Sequence, residues 1–548
     1  MPDDNAITIA SHPSRHSRDH FFIEGEGLFG DPATAPATAP VDDAPGRALA
    51  AATAAEFRFS RVGPRGKKLP DGLLRKVAKA MTAADTGGNG NIPAGYTYLG
   101  QFVDHDLTFD DTTVALGDSV SPADLLQGRS PALDLDSLYG FGPSDPVSAD
   151  FYKDDRHLKT GRTVKVGSGV LKAHPEYDLA REGDDSPGNP RKALIPDFRN
   201  DENLAVAQTH LAFIRFHNRV VDGLPPGVPV SQRFRRARRE VTLHYQWMLR
   251  TDYLTKICDD TIVNDVFTNG RKVFEVGADP MTLPTMPVEF SVAAFRMGHS
   301  MIRDRYDWNA AFPSGQGFLF FLFDFSGTSG FLGGGPQALP SNWIADWRRL
   351  YRFAKIGRDD LKPPAGQFNL ARRIDTFLAP DLGNLPAGSF GGKRDGFGQM
   401  AANLAFRNLV RASMLKLASG QDMAKLLRQK GVPVTTLTKR QILGPGEGAS
   451  LAALTDVEKQ RFAADTPLWF YILREAELNK GKLTGVGARI VVETFHRAME
   501  GSRNSIVRNP DWRPSLGAGA PDRFTMMDLL TVAYDDSKAV LAPLGDQL

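Results

Sequence analysis

Three stretches of this chain place histidine, arginine and carboxylate side chains where they could move protons or hold a metal. In Tyr98-Leu99-Gly100-Gln101-Phe102-Val103-Asp104-His105-Asp106-Leu107-Thr108-Phe109, a helix would set Gln101 and His105 one turn apart, with Asp104 near the same face. A titratable face on an otherwise aromatic helix points to a pocket, although an Asp-His-Asp cluster taken alone also reads as a surface or capping group. The second stretch, Asp197-Phe198-Arg199-Asn200-Asp201-Glu202, sets an arginine and a carboxylate three residues apart, which by itself is also ordinary helix-start chemistry. In the third, Glu289 to Ile302, Phe290, Ala294, Met297 and Met301 fall on one helical stripe and Val292, Phe295, His299 and Ile302 on another. Such a helix should be buried. His299 is then a satisfied core residue unless something it can ligate lies beside it.

The elements that must position these residues are mainly helical. Between Leu204 and Val221, Leu204, Ala207, Leu211, Ile214 and Val221 recur at helical spacing, and His210 and His217 lie on a neighbouring stripe as an expected pair of buried, hydrogen-bonded histidines. From about Leu73 onward, helical patterns alternate with loops rich in Gly and Pro, without a strand–helix alternation or an internal repeat. The expected architecture is a large, mainly α single domain over residues 61–548 with long loops and little β-structure. The apolar run Phe318 to Phe325 reads as a buried strand or core segment, and Gly327 to Gly335 as a loop without phosphate-cradling spacing. Residues 1–60 read as a flexible N-terminal arm, because Pro32, Pro36 and Pro40 recur too closely for a helix and the tract is poor in material for a core.

Composition narrows the function. Lys plus Arg number 66 against 64 Asp plus Glu, giving a formal net charge of +2, so there is no electrostatic footprint for nucleic acid. The single cysteine, Cys258, rules out an intrachain disulfide and cysteine-rich zinc or iron–sulfur sites. No apolar run reaches the roughly 18 residues of a membrane span. No secretory signal is evident after Met1-Pro2-Asp3-Asp4, which leaves a cytoplasmic location or an unconventional export route as the expectation.

Taken together, the motifs resemble those of the animal-type haem peroxidases, the peroxidase-cyclooxygenase superfamily, in its bacterial branch. Gly100-Gln101-Phe102-Val103-Asp104-His105-Asp106 is similar to the distal motif, and Ser130-Pro131-Ala132-Leu133-Asp134-Leu135-Asp136-Ser137-Leu138-Tyr139-Gly140 to the calcium loop. Asp197 to Glu202 resembles the catalytic-arginine motif, Phe295-Arg296-Met297-Gly298-His299 the proximal motif, and Asn408-Leu409-Val410-Arg411 the segment supporting it. The order is kept, and the resemblance runs from about Tyr98 to Phe495.

The resemblance implies a haem peroxidase that reduces hydrogen peroxide and oxidises small organic donors, halides or thiocyanate. His105 would be the general acid and base, since imidazole titrates near neutrality. Arg199 would stabilise developing negative charge, and Gln101 would order the distal water. His299 would be the axial ligand, with Asn408 accepting a hydrogen bond from its other ring nitrogen and fixing the tautomer. Arg296 and Arg411 would meet haem propionates. Asp104 and Glu202 stand where the family esterifies haem methyl groups, so the cofactor would be haem b or ester-linked haem. Asp106, Ser130, the Ala132 carbonyl, Asp134 and Asp136 would bind calcium through hard oxygen donors. Ser130 replaces the family's usual Thr and keeps the hydroxyl.

Two departures refine this. Asn203 stands where a sulfonium-forming Met follows the esterified Glu in some members, which turns the expectation from chloride towards bromide, iodide, thiocyanate or phenols. Arg296 stands where cyclooxygenase relatives have a radical-forming Tyr, which disfavours fatty-acid oxygenation by that route. The alternatives are a fatty-acid dioxygenase on the same fold and a haem- or calcium-binding protein without turnover. A metal-dependent phosphohydrolase using His105 and Asp106 finds no further matching ligands.

Overall fold

The computed structural model describes residues 57–83, 88–110, 117–125, 127–183, 192–326, 338–385, 398–444, 446–517 and 522–548. The expected arm therefore lies outside the described residues except for its last four, of which Phe59–Ser60 pair in parallel with Met286–Pro287. The expected loop Gly327 to Gly335 lies outside them altogether.

The protein is mainly α, 48% helical with little strand. Among the described residues the strands pair only two by two. The helices that build the site are α1 (Asp71–Met81), α2 (Gly95–Leu107), α3 (Leu204–Gly223), α4 (Val230–Met248), α5 (Leu404–Met414), α6 (Leu468–Leu478), α7 (Gly485–Gly501) and α8 (Met526–Ala533).

Helix α2 lies against α3 and α4 through an aromatic seam. Phe102 stacks on Phe213 with centroids 4.3 Å apart and planes at 10°, and both meet Tyr245 edge-on. Phe102 is fully buried, a burial that contributes on the order of 2–3 kcal/mol. The seam fixes which side of α2 faces inward, and therefore where Gln101 and His105 point. Gly100 is required by this approach, since a Cβ there would lie 2.3 Å from Tyr253 Oη. Tyr253 itself ends a π-helical turn, Leu249–Tyr253, that continues α4.

Two segments differ from their expected form. Residues 288–301 are not one α-helix: Val288–Ser291 forms a single α turn, the chain breaks at Ala293 (φ −131°, ψ −71°), and Ala294–Met301 winds as a 3₁₀-helix. The run Phe318 to Phe325 is mostly helix, Leu319–Asp324, with only Gly317–Phe318 in a strand pair. Its Leu319 and Leu322 are buried while Phe320 is 46% exposed. One side of the turn packs on the protein body, which a strand of uniformly apolar residues buried on both faces would not require.

Candidate active site

Helix α2 presents His105 from its last turn. His105 Nδ1 lies 2.9 Å from Asn200 Oδ1, so the ring donates there and Nε2 carries the free lone pair. Nε2 stands 3.9 Å from Glu202 Oε2, and Gln101 Nε2 donates to the same carboxylate oxygen at 3.4 Å. Burial, reinforced by the Arg199 charge, pushes the imidazole pKa down to about 3, which keeps it neutral. Burial also pushes the Glu202 carboxyl up to about 7, against the pull of Arg199. Yet 38% of that side chain is accessible.

The segment Phe198–Asp201 is a 3₁₀ turn capped by Asp197, whose side chain accepts the Arg199 amide. Asp197 also receives Arg199 Nε at 3.0 Å and Nη2 at 2.6 Å, and Arg129 Nε at 2.7 Å. Although burial works the other way, Arg129 and Arg199 hold the Asp197 carboxyl well below the usual carboxylate range. Arg199 Nη2 further donates to the His105 carbonyl at 2.9 Å, and its guanidinium lies 4.5 Å from the Phe109 ring centroid. Its position relative to the histidine is thus fixed from three sides. Asn203 is the N-cap of α3, accepting the Val206 amide at 2.9 Å while donating Nδ2 to Gln101 Oε1 at 3.0 Å. The residue that departs from the sulfonium-forming pattern therefore starts one helix and orients a side chain on another.

The 3₁₀ winding of Ala294–Met301 brings residues three apart onto one edge, so Arg296 and His299 share it. Arg296 Nη1 stands 3.8 Å from Asp104 Oδ2 on α2, which joins this segment to the His105 helix. Burial, with Arg296 beside it, pushes His299 down to about 3. Asn408 on α5 meets His299 Nδ1 at 2.8 Å through its amide nitrogen. The expected orientation has the amide oxygen there, and a half-turn of the side-chain amide exchanges the two. With the oxygen there, His299 Nδ1 donates and Nε2 carries the lone pair left for a ligand. Arg411, on the same helix as Asn408, forms a close ion pair with Asp110, and burial lowers its pKa.

A second cluster lies behind His105. Asp106, Asp134 and Asp136 are buried, with carboxylate oxygens within 4.8 Å of one another. Ser130 Oγ donates to Asp134 at 2.8 Å, the Ser130 amide to Asp136 at 2.9 Å, Ser137 Oγ to Asp106 at 2.9 Å and Tyr245 Oη to Asp106 at 3.2 Å. The Ala132 carbonyl accepts the Asp134 amide at 3.1 Å. Asp136 Oδ1 is buried without a hydrogen-bond partner. Burial, and for Asp106 and Asp136 also the neighbouring carboxylates, pushes Asp106 to about 7, Asp134 to about 6 and Asp136 well above the ordinary range. Three hard oxygen donors and an orphaned carboxylate oxygen fit a calcium-type cation.

The expected pair of hydrogen-bonded histidines holds for one member only. His217 is bonded to Tyr139 Oη at 3.0 Å and the Arg156 carbonyl at 2.8 Å. Both ring nitrogens of His210 are buried without a partner, because α3 turns them into the apolar seam beside Phe102. Sequence reasoning missed Asn200, Arg129 and Asp197 as the groups that orient His105 and Arg199. The only available signal was their presence near the motifs.

The animal haem peroxidase family model matches residues 110–316. Among curated proteins, a peroxidase-like protein of Margaritifera margaritifera is 24% identical over 260 residues, 38% of this chain and 32% of that protein. Thyroid peroxidase of Mus musculus is 26% identical over 192 residues, 34% of this chain and 20% of that one. The matched stretch thus spans a third or less of these relatives. Peroxidase A from Dictyostelium discoideum superposes with a TM-score of 0.53 at 15% identity, covering 82% of this chain and 89% of its own. Fatty acid alpha-dioxygenase of Arabidopsis thaliana does so with a TM-score of 0.55 at 13% identity, covering 89% and 80%. Residues 110–316 are thus similar to the animal haem peroxidases, and the chain shares the helical fold of Peroxidase A.

Proposed function

We propose that the protein is a haem-dependent peroxidase that reduces hydrogen peroxide to water. It would oxidise small organic donors in two one-electron steps, or a halide or thiocyanate in one two-electron step. The observation that carries this reading is His105: Nδ1 is committed to Asn200 and Nε2 is turned towards Gln101 and Glu202. Bound haem would supply the redox chemistry. His299 Nε2 is the nitrogen that would ligate its iron, with Asn408 setting the ring orientation through Nδ1.

His105 Nε2 would take a proton from hydrogen peroxide and return it to the departing oxygen, so the residue ends each cycle as it began. Arg199, held by Asp197, would stabilise the negative charge that grows on that oxygen. Gln101, oriented by Asn203, would order a water or peroxide beside His105. Asp104 and Glu202 would be the residues to form ester links. Calcium between Asp106, Asp134 and Asp136 would tie the loop to α2 and hold His105 in place.

The test is reconstitution with haem followed by a peroxide titration of the full chain. Loss of peroxide with oxidation of iodide or a phenol supports the reading. A protein that binds haem through His299 but leaves peroxide and donors unreacted would contradict it.

A further inference from the structure

Five oxidisable rings form a file from the start of α2 to Tyr177, the least buried of them. Tyr96 meets Tyr351 with centroids 5.1 Å apart, Tyr351 meets Trp347 at 6.1 Å, Trp347 meets Tyr534 at 6.4 Å, and Tyr534 meets Tyr177 at 6.1 Å. All five are buried, Tyr177 least so at 7% exposed. They come from four segments, with Trp347 and Tyr351 one turn apart in the same one. The chain has 34 Phe against 11 Tyr and 6 Trp, which makes five successive aromatic neighbours without a phenylalanine an unusual draw. The hydroxyls at the file's two ends are themselves bonded, Tyr96 to Asp252 and Tyr177 to the Val540 carbonyl.

The inner end is equipped for proton-coupled oxidation. Tyr96 Oη donates to Asp252 Oδ2 at 2.7 Å, and Asp252 sits on the π-helical turn after α4, where it also accepts the Met526 amide at 3.1 Å. A phenol whose proton can pass to a carboxylate loses an electron more readily than one without an acceptor. Tyr96 lies nine residues before His105 on α2, about 13.5 Å of helix rise. Gly95 lets Tyr351 close on this end, since a Cβ there would meet the ring at 2.2 Å. Tyr351 Oη is buried without a partner, so Tyr351 keeps its proton and serves as a bridge.

We infer that Tyr96, Trp347 and Tyr177 relay electrons from a surface donor to the haem site, giving the enzyme a second site for phenolic donors too large to enter the pocket. This rests on the haem reading above. Peroxide-oxidised haem is the oxidant. Tyr96 gives it one electron, and the phenolic proton passes to Asp252. Trp347 then reduces the Tyr96 radical, the proton returns from Asp252, and the indole is left as a radical cation. Tyr177 reduces that cation and releases its own phenolic proton to solvent. The surface phenol finally reduces the Tyr177 radical with one electron and one proton. Arg215, whose guanidinium lies 5.0 Å from the Tyr177 centroid and 4.3 Å from that of Tyr534, works against the burial that raises the Tyr177 pKa.

The haem-reconstituted full chain is mixed with hydrogen peroxide and a nitroso spin trap, then digested for mass spectrometry, with absorbance followed in parallel. The expected result is an adduct on Tyr177 that is lost in Trp347→Phe, while iodide oxidation is unchanged. Should Trp347→Phe fail to fold, Tyr177→Phe, which keeps the ring, is expected to lose oxidation of phenol groups coupled to dextran and to keep that of iodide. A normal peroxide response with no adduct on Tyr177, an adduct undiminished in Trp347→Phe, or dextran-phenol oxidation unchanged in Tyr177→Phe overturns the relay alone. A chain that shows no haem spectrum overturns the peroxidase reading and the relay with it.

Discussion

His105 can accept a proton at Nε2 only while Nδ1 keeps its own, and the bond to Asn200 is what holds that tautomer. Replacing His105 with Ala should leave haem binding intact and slow the reaction with peroxide by a factor on the order of 100 or more, the scale of general acid and base catalysis. Stopped-flow absorbance measures it, and an unchanged rate would remove His105 from the mechanism. Asn200→Ala should also slow the peroxide step, by less, because the ring remains but its tautomer is freed; an undiminished rate would show that Asn200 does not set the base. These two residues also mark what could be read in advance. His105, Gln101 and Asp104 follow from helical spacing within one element. Asn200 reaches His105 across 95 residues of sequence, and Arg129 reaches Asp197 across 68, and no local pattern distinguishes an orienting amide or guanidinium from a solvated one. His210 was misjudged for a related reason, since its partners depend on which face of α3 meets the Phe102 seam.

At the scale of elements, the loop Ser130–Asp136 and helix α2 bring their buried carboxylates together. Asp134→Ala removes one anionic ligand from a site that needs about six to eight oxygens, and a cation bound to the folded state alone contributes stability by mass action. Lower calcium content, a lower melting temperature and lower turnover are expected together. If metal analysis finds no calcium in the wild type and the variant melts and turns over normally, the cluster is a protonated acidic turn. The proximal segment shows the limit of periodicity as a guide. Residues 289–302 do carry apolar stripes at 3.6 spacing, but those stripes are also satisfied by one α turn followed by a 3₁₀-helix, and only the break at Ala293 sets Arg296 and His299 on a common edge. Phe318 to Phe325 was ambiguous because a stretch apolar at every position but Asp324 shows no period.

Across the whole molecule, the mainly helical architecture was legible because long amphipathic patterns such as Leu204–Val221 recur through the chain, while the interior chemistry was not. Burial lowers His210 and His496 to about 3 and His217 and His244 to about 4. Each is neutral in the folded state, whereas the unfolded chain binds a proton below about pH 6.5. For these four groups the unfolded state therefore holds more protons over that window, so their contribution to stability falls as pH drops from about 6.5 towards 3 to 4, while Glu202 and Glu475, raised by burial, work the other way. Thermal melts of the wild type and His210→Phe across this range check it: the variant should lose less stability on acidification, and equal losses in the two proteins would contradict it. The central claim, haem held by His299 and worked by His105, is tested most directly by absorbance spectra of the haem-reconstituted protein before and after hydrogen peroxide, for the wild type and His299→Ala. The account predicts a Soret band in the wild type that shifts on adding peroxide and returns with a donor, and a weakened, altered band in the variant. An identical Soret band and identical peroxide response in His299→Ala would place the axial ligand elsewhere and contradict it.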